Sequence, residues 1–398
     1  MRILVLTSKF IWPLTDGAVI RDFNLLRETA KHHDVFLLSF LTKREDREYF
    51  SALEPYCKKI VGIDLSRPKW LTAKNAVFGS VGSRPFILRE YLRRDMAEAI
   101  EKVVAEERIE VIHAHFLHMG QYLIQKKSAP LVYDAHNLEH VLWRRLSQTV
   151  EDRLKRTFAR LQYQRLIRWQ QIMASNSEIC VTLSDEDREE YLRIAPYADV
   201  ITVPNGADIE FWHPLPTEIE PHSIIYFGNL SWLPQSDAAL YFHDEIFPLI
   251  LAQVREATFY IVGQNPPQSV KDLASDKVIV TGFVEDIRQY IARAAVVVMP
   301  LRIGAGTKHR IFHALAMKKA LVASSVAAEG IALRNEDTAL LADDPGAFAN
   351  HVVTLLKNPE LCKELGEAGR KLVCERYDWA AIYSSLERAF ERASKKRR

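Results

Sequence analysis

A glycine-rich stretch in the second half of the chain combines the residue types that bind a phosphate group. Its members are Gly304, Gly306, Thr307, Lys308 and Arg310. A short apolar run, 294–299, precedes the stretch, and apolar residues recur at helical spacing after it, over 311–316. The pattern predicts a buried strand, a loop and the first turn of a helix. Glycines allow the backbone to approach closely, free amides and the helix dipole favour an anion, and the cations add positive charge.

The same residues also fit an ordinary strand-to-helix turn whose first helical turn is basic and solvated. The Walker pattern is excluded, because Gly306 is followed by Thr307 and Lys308 rather than by Lys and then Ser or Thr. The local sequence therefore leaves both interpretations open.

Histidines lie at the ends of two predicted strands in the first half of the chain. His113 and His115 belong to the run 111–115, and His136 follows the apolar run that begins at Pro130. The carboxyl ends of parallel strands form the ligand edge of an open α/β sheet, so His136 is a candidate site residue; a hydrogen-bonded structural histidine is the alternative. An H-x-H pair can bind metal, but we predict no metal site, because the sequence shows no third ligand beside the pair.

Apolar runs alternate with helical patterns in both halves of the chain, which predicts an α/β fold. Gly17 lies in the loop after the first strand and Arg21 in the helix that follows, so both could reach a ligand at the sheet edge. A simple turn glycine is the alternative for Gly17. Pro214 and Pro216 mark a linker, after which the strand pattern restarts at 223–227. The 398 residues are thus predicted to form two domains.

Composition excludes several classes of protein. The net charge of +2 gives no overall field that would attract nucleic acid. Four cysteines without a C-x-x-C pair indicate neither a disulfide framework nor a zinc site. The N-terminal apolar run is too short for a signal peptide, and no apolar run reaches membrane-spanning length. We therefore expect a cytoplasmic protein.

Residues 67–96 form a basic, amphipathic segment in which aromatic and leucine side chains alternate with lysines and arginines. Such a surface can sit on the anionic inner face of the cell membrane or hold a lipid-phosphate acceptor. Helices packed on the domain with a solvated basic face are the alternative. Peripheral membrane contact through 67–96 is therefore a hypothesis.

Several segments, in their order and spacing, resemble the GT-B fold glycosyltransferases, and specifically glycosyltransferase family 4, whose members are retaining enzymes with nucleotide-sugar donors. The resemblance extends to the sugar transferases of bacterial exopolysaccharide clusters, which carry Gly-x-Gly-Thr-Lys/Arg in this place. The segments span nearly the whole chain: 15–26, 111–115, 134–137, 203–208, 226–228, 304–316, 328–331, 365–370 and 377–379.

The resemblance implies two Rossmann-like domains facing across a cleft. The acceptor-side domain would comprise 1–207, joined by a C-terminal helix over 380–398, and the nucleotide-sugar-binding domain would comprise 208–379. The implied reaction transfers a sugar from a nucleotide diphosphate sugar to a saccharide or lipid-linked acceptor. It would need neither metal nor cofactor, because fixed cations and helix dipoles stabilise the leaving phosphate.

The resemblance also assigns roles to single residues. The loop 304–308 would hold the diphosphate with help from Arg302 and Arg310, and Gly17 would approach it from the first domain. His136 would bind a hydroxyl of the transferred sugar and is the candidate catalytic residue. The remaining donor-binding assignments are Arg21, Gly228, Asn229, Gly263, Val284, His313 and Glu329.

Two departures from the family pattern bear on catalysis. Asn229 and Pro234 stand where many relatives carry an Arg and a Lys, so other cations would have to supply the positive charge. His313 stands where relatives carry a glutamate that accepts hydrogen bonds from the donor ribose. A neutral imidazole accepts only one hydrogen bond, and this loss would cost about 1–3 kcal/mol of donor binding.

Two alternatives to a transferase remain open at this point. His313 also fits a catalytically silent nucleotide- or sugar-binding partner in glycan assembly. A sugar-nucleotide epimerase on the same fold would need acid and base carboxylates in the cleft, and the sequence shows no convincing pair.

Overall fold

The computed structural model describes residues 1–65, 82–124, 129–150, 152–304 and 306–396. These residues form two compact units, one of Met1–Pro204 with Ile382–Arg398 and one of Asn205–Ala381. The domain boundaries inferred from the sequence, 207/208 and 379/380, lie close to these. Each unit is built on one parallel sheet, as expected for a chain in which strands and helices alternate.

The first unit contains a seven-stranded sheet. Its strands are β1 (Arg2–Thr7), β2 (Asp34–Leu41), β3 (Lys59–Asp64), β4 (Val111–His115), β5 (Leu131–Asp134), β6 (Ile179–Thr182) and β7 (Val200–Thr202). The strands pair in the order β3-β2-β1-β4-β5-β6-β7, and all pairings are parallel. Residues 3–7 of β1 and all residues of β4, β5 and β6 are buried, as expected for strands of a parallel sheet that is covered on both faces.

Helices of the first unit follow the strands. They are α1 (Gly17–Ala30), α2 (Phe50–Leu53), α3 (Phe86–Glu90), α4 (Arg94–Glu106), α5 (Leu117–Gly120), α6 (Glu139–Thr149), α7 (Arg153–Asn176) and α8 (Asp185–Ile194), with 3-10 turns at Arg44–Tyr49 and Gln121–Leu123. Asp16 caps α1 by accepting hydrogen bonds from the amides of Ala18 and Val19. Gly17, which the sequence placed in the loop after β1, is therefore the first residue of α1.

The second unit contains a six-stranded sheet. Its strands are β8 (Ser223–Phe227), β9 (Thr258–Val262), β10 (Val278–Gly282), β11 (Val296–Met299), β12 (Ala320–Ala323) and β13 (Leu340–Leu341). They pair in the order β10-β9-β8-β11-β12-β13. The helices are α9 (Leu233–Tyr241), α10 (Phe247–Leu251), α11 (Gln268–Lys271), α12 (Ile287–Arg293), α13 (His309–Ala316), α14 (Ser325–Ala328), α15 (Pro345–Lys357) and α16 (Pro359–Arg376), with a π-helical turn at Phe242–Ile246. The last helix, α17 (Trp379–Lys396), belongs to the first unit from Ile382 onward.

Each sheet has a point at which the strand order reverses. In the first sheet the reversal lies between β1 and β4, and in the second it lies between β8 and β11. Loops diverge at such a point and leave a crevice beyond the carboxyl ends of the strands, where open α/β sheets bind ligands. The histidine-bearing ends of β4 and β5 and the glycine-rich stretch after β11 both lie at these edges.

The segment 67–96 falls only partly within the described residues. Residues 66–81 lie outside them, so the membrane hypothesis for this part is left as a hypothesis. Farther along, Leu88 and Met96 are buried in the core of the first unit, whereas the side chain of Leu92 is half exposed. Among the described residues, no helix has both the length and the apolar content needed to span a bilayer.

Two glycines at the carboxyl edge of the second sheet touch through their backbones. The Gly228 amide donates to the Val262 carbonyl at 3.0 Å, and the Gly263 amide donates to the Gly282 carbonyl at 3.1 Å. A Cβ atom at position 263 would lie 1.7 Å from the carbonyl oxygen of Gly228, and φ is 154° there. Only glycine therefore allows the ends of β8 and β9 to approach this closely.

Substitution of Gly263 by alanine should destabilise the second unit strongly. We expect a loss of about 3 kcal/mol or more in the free energy of unfolding, because the clash with Gly228 and the unfavourable φ act together. Gly282→Ala is the matched control, since φ is 70° but nothing lies within 4 Å of the added Cβ. That variant should lose only about 1–2 kcal/mol. Urea denaturation measures both, and equal losses would contradict the close packing of Gly228 and Gly263.

Candidate functional site

Six polar side chains meet in the first unit beyond the ends of β1, β4 and β5. Strands β4 and β5 pair with His115 opposite Asp134, which brings the polar ends of the two strands together. Helix α1 adds two neighbours from its buried face. The six are Arg21, Asp22, His113, His115, Asp134 and His136, and none is more than 2% exposed. We call this group the histidine cluster.

Asp22 lies at the centre of the histidine cluster. Its Oδ1 atom lies 2.8 Å from Nδ1 of His115, and the two form a hydrogen bond. Nε2 of His136 lies 3.0 Å from the same oxygen, but not in hydrogen-bonding alignment. His115 also reaches His113, whose Nδ1 is 3.1 Å from Nε2 of His115. One carboxylate of α1 therefore contacts two imidazoles that come from different strand ends.

A second buried contact balances the negative charge of Asp134. Arg21 donates from one terminal nitrogen to Oδ2 of Asp134 at 2.9 Å and from the other to the carbonyl of Pro204, also at 2.9 Å. The sequence interpretation of Arg21 as a ligand-facing cation is therefore corrected, because its guanidinium is 1% exposed and committed to these partners. Burying the pair excludes water, which strengthens the attraction between the two charges.

The electrostatics of the histidine cluster keep its carboxylates ionised. Burial alone would raise the pKa of Asp22, but the neighbouring His115 and His136 outweigh it and hold that pKa below its ordinary value. Asp134 is likewise buried, and Arg21 holds its pKa well below the ordinary value. Burial lowers the pKa of His113 to about 4, so this imidazole is neutral at pH 7.

Asp22, His115 and His136 have the spacing of a metal-binding group, since one ligand atom from each lies within 4.8 Å of the others. The sequence showed no third ligand beside the H-x-H pair. The structure corrects this reasoning, because Asp22, which lies 93 residues before His115 in the chain, is next to it in space. The hydrogen bond between Asp22 and His115 is enough to explain the short distance between these two side chains. The absence of a metal from the chemistry therefore stays a prediction.

Two further residues, which adjoin members of the histidine cluster in the chain, were missed by the sequence reasoning. Phe116 follows β4 with φ 65° and ψ 155°, a conformation that is sparsely populated for residues other than glycine, and its ring centre lies 4.3 Å from that of His136. Glu139 opens α6, and burial raises the pKa of its carboxyl to about 7. Neither belongs to a sequence pattern, although Glu139 stands only three residues after His136.

The glycine-rich stretch of the second unit joins β11 to α13, as its sequence predicted. Thr307 is anchored at its Oγ1 atom, which accepts a hydrogen bond from Nδ2 of Asn205 at 2.7 Å. Lys308 is only 4% exposed and donates to the carbonyl of Gly306 within the same loop. A Cβ atom at Gly304 would lie 3.0 Å from Cε of Lys308, so glycine lets this lysine fold back. Ala305 lies outside the described residues.

The cations around this loop have different partners. Arg302 donates to both carboxylate oxygens of Asp237, at 2.6 and 3.2 Å, and its guanidinium lies over the ring of Tyr241. Arg310 forms no ion pair with a carboxylate in the part of the chain that the structure describes, and burial lowers its pKa. Its guanidinium lies beside Gly228, where an added Cβ would be 2.7 Å from a terminal nitrogen.

The other predicted donor-binding residues lie at the same edge of the second sheet or close to it in the chain. Gly228 and Gly263 follow β8 and β9, and Val284 follows β10. The side chain of Asn229 accepts hydrogen bonds from the amide and hydroxyl of Ser231, so it caps the turn that follows. Glu329 ends the short helix α14. The structure thus groups these residues by sheet topology, and their donor-binding roles stay predictions.

His313 has a partner that the sequence did not reveal. Its imidazole stacks on the indole of Trp212, with ring centres 3.9 Å apart and an angle of 9° between the planes. Burial lowers the pKa of His313 well below its ordinary value, so the ring is neutral at pH 7. The position that relatives use for a carboxylate is therefore occupied here by a packed, uncharged ring.

Comparison with known proteins identifies the family. The family model described as Glycosyltransferase Family 4 matches residues 15–211, and that of Glycosyl transferases group 1 matches residues 221–358, so the two span most of the chain. The chain belongs to the family 4 glycosyltransferases. The first match includes the histidine cluster of this glycosyltransferase and also Pro204. The second match includes its glycine-rich loop.

Solved structures confirm that this glycosyltransferase has the GT-B fold. Sucrose-phosphate synthase from Thermosynechococcus elongatus superposes with a TM-score of 0.74 at 17% identity, with 100% of each chain covered. The Anabaena protein Alr3699/HepE in complex with UDP-glucose gives a TM-score of 0.67 at 14% identity, with 98% of this chain and 99% of that chain covered. At these identities the likeness establishes the fold and no more.

One curated relative also matches the glycosyltransferase in part. It is described as an uncharacterized 44.6 kDa protein in the cps region of Klebsiella pneumoniae, and it is 20% identical over 173 residues. The match covers 41% of this chain and 45% of that protein, so the chain matches less than half of the relative's length.

Replacing Asp22 by asparagine should destabilise the first unit in a pH-dependent manner. The pKa of Asp22 is lowered in the folded state, so its stabilising contribution is complete above the unfolded value of 3.8 and is lost progressively as the pH falls from 3.8 through the lower folded value. We expect Asp22→Asn to lower the free energy of unfolding by about 3 kcal/mol at pH 7 and by measurably less at pH 3. Chemical denaturation at both pH values measures this difference.

Asp34→Asn is the matched control, since the Asp34 side chain is 48% exposed and lies 3.7 Å from Lys58. It should change the free energy of unfolding by less than about 1 kcal/mol at either pH. A loss for Asp22→Asn that is the same at pH 7 and pH 3 would show that the ionised carboxylate is not what stabilises the histidine cluster.

Proposed function

We propose that this glycosyltransferase moves a sugar from a nucleotide diphosphate sugar to a hydroxyl of a saccharide or lipid-linked acceptor, with retained configuration, during assembly of an exopolysaccharide. The observation that carries the donor class is Arg310, a half-buried side chain whose Nε atom is buried without a hydrogen-bond partner and which has no carboxylate partner among the described residues. It lies beside Gly228, at the point where the strand order of the second sheet reverses. A diphosphate supplies the negative charge that such a site lacks.

The surroundings of Arg310 suit a diphosphate in other ways. Helix α13 begins at His309, and its first amides and its dipole favour an anion. Gly228 and Gly263 present backbone rather than side chains, so a ligand can approach closely. Phe283, which precedes Val284 in the chain, has 73% of its side chain exposed. An aromatic ring in this position can stack on a nucleotide base. Alr3699/HepE of Anabaena, which has the same fold, was solved with UDP-glucose.

In the proposed reaction the protein stabilises charge on the leaving diphosphate. Arg310 and the loop amides are fixed before the reaction, so their dipoles need not reorient as negative charge develops. His136 hydrogen-bonds a hydroxyl of the transferred sugar, and Oδ1 of Asp22 lies 3.0 Å from Nε2 of its imidazole. Neither a metal nor another cofactor is part of the proposal, because these fixed groups supply the stabilisation.

Incubation with a panel of nucleotide diphosphate sugars and simple saccharide acceptors tests the reaction. Mass spectrometry should detect a released nucleoside diphosphate for at least one donor, and His136→Ala should retain donor binding while turnover falls by at least about 100-fold. The absence of both binding and turnover for every donor would refute the proposal.

The role of Arg310 predicts a contrast between two arginines. Arg310→Gln should weaken binding of the nucleoside diphosphate by roughly 10- to 100-fold, because a charge-assisted hydrogen bond contributes about 1.5–3 kcal/mol. Arg302→Gln is the matched control and should change the affinity less than about threefold, since Arg302 is already paired with Asp237. Titration calorimetry measures both. Equal losses of affinity in the two variants would show that Arg310 does not bind the diphosphate.

A second candidate function is a catalytically silent nucleotide- or sugar-binding partner in glycan assembly. The packing of His313 on Trp212 favours it, because no carboxylate is available at this position to accept hydrogen bonds from a ribose. His313→Glu separates the two functions. If donor affinity rises by about tenfold or more, the site of the natural protein is degenerate, whereas a loss of affinity shows that the imidazole has its own role.

A further inference from the structure

A cavity of about 360 Å³ is bounded by the edge strand β7 and by helices α8 and α17 of the first unit. This volume suits a small organic ligand rather than a bare ion. Its polar lining side chains are Asp185, Arg188, Thr202, Ser385, Arg388 and Arg392. We call this cavity the arginine pocket. All of its lining residues belong to the first unit, so it is distinct from the proposed diphosphate site of the second unit.

Positive charge is concentrated in the arginine pocket. Arg188 comes from α8, whereas Arg388 and Arg392 lie four residues apart on α17 and therefore share one face of that helix. Like charges at this spacing destabilise a helix. The three arginines and Asp185 give the lining a net charge of +2, which equals the net charge of the whole chain. Helix stability thus gives no reason for this arrangement, whereas a bound anion does.

Two of the arginines keep donors that no carboxylate uses. Arg188 donates from Nε to the carbonyl of Val200 at 3.2 Å, and Arg388 donates from a terminal nitrogen to Oγ of Ser385 at 2.8 Å. Neither forms an ion pair with a carboxylate in the part of the chain that the structure describes. A guanidinium has five N–H donors in a rigid fork. Each contact therefore orients the guanidinium and leaves most of its donors for another partner.

The third arginine is compensated only in part. Arg392 lies 2.5 Å from Oδ2 of Asp199, and Nζ of Lys396 lies 2.7 Å from the same oxygen, so one carboxylate serves two cations. Asp185, the acidic residue of the lining, accepts a hydrogen bond from Oγ1 of Thr202 at 2.7 Å. These two carboxylates do not balance the cations around the pocket, and an anion would complete the balance of charge.

The edge strand adds backbone groups to the same cavity. The carbonyl of Asp199 and the amide of Val203 both bond to β6. Because backbone groups alternate in direction along a strand, those of Val200 and Thr202 face the open edge of the sheet. The hydrogen bond from Arg188 to the Val200 carbonyl agrees with this direction. The Thr202 amide therefore supplies a further donor at the wall of the cavity.

We propose that the arginine pocket binds a small soluble molecule that carries a phosphate monoester. Such a group has a charge of about −1.5 to −2 at pH 7 and three acceptor oxygens, which match the charge and the donors of the pocket. Guanidiniums bind it through paired hydrogen bonds. The exposed side chains of the lining are all charged, which favours a soluble ligand over an acyl chain. This binding does not depend on the proposed function.

Titration calorimetry of the full-length protein with glucose 6-phosphate tests the proposal. We expect glucose 6-phosphate to bind, inorganic phosphate to compete with it, and glucose not to bind. The double substitution Arg188→Gln with Arg388→Gln should weaken binding by at least roughly tenfold, since it removes charge-assisted hydrogen bonds from two guanidiniums. Arg310→Gln should leave this binding unchanged, because Arg310 belongs to the second unit.

Arg47→Gln with Arg94→Gln is the matched control, since it also removes two positive charges from the first unit. The Arg47 side chain is 54% exposed and that of Arg94 is 92% exposed, and each is paired with a carboxylate. This control should bind glucose 6-phosphate like the natural protein, which separates a specific site from long-range attraction between charges. Circular dichroism should be unchanged in both double variants, which separates a binding defect from a folding defect.

Four results would overturn the proposal. One is that neither glucose 6-phosphate nor inorganic phosphate binds the natural protein, and another is an equal loss of affinity in the two double variants. The third is binding that Arg310→Gln abolishes and Arg188→Gln with Arg388→Gln does not, because the ester would then occupy the second unit. The fourth is flotation with vesicles containing phosphatidate, without binding of the soluble ester, because the phosphate would then belong to a lipid.

Discussion

A buried ionised side chain is stable only when an opposite charge or a set of hydrogen bonds replaces the water it has lost, and this constraint organises both units. In the first unit, Asp22 and Asp134 are buried and ionised, and their compensation comes from imidazoles and from Arg21. The polar groups at the ends of β4 and β5 are thereby held in one arrangement. The position of His136 follows from that internal balance of charge.

In the second unit, this compensation of charge is incomplete. Lys308 donates to the carbonyl of Gly306, and Arg302 is paired with Asp237, so both cations have partners within the unit. Arg310 has no carboxylate partner among the described residues, although it lies in a site that glycines keep open. An arginine whose guanidinium is partly withdrawn from water is ordinarily paired with a carboxylate, and one that lacks such a partner is what a site for an anionic ligand needs before the ligand binds.

Much of the fold followed from patterns that are local in sequence. The apolar run before Pro300, the glycines after it and the helical spacing beyond His309 predicted strand, loop and helix, and all three are present. The place of His136 just after a strand of a parallel sheet was predicted in the same way, and β5 ends two residues before it. The contacts of Asp22 with His115, of His313 with Trp212 and of Arg310 with Gly228 were not found, because each joins residues that are far apart in the chain.

The sequence by itself determined the two α/β units, the family and the location of the candidate residues at strand ends, because periodicity and glycine spacing act over a few residues. Tertiary structure alone decided which of those residues have partners. It showed Arg21 buried in an ion pair rather than facing a ligand, and His313 stacked rather than open. The physical reason is that the charge state and exposure of a side chain depend on what folding brings beside it, and strand order, rather than local pattern, sets those neighbours.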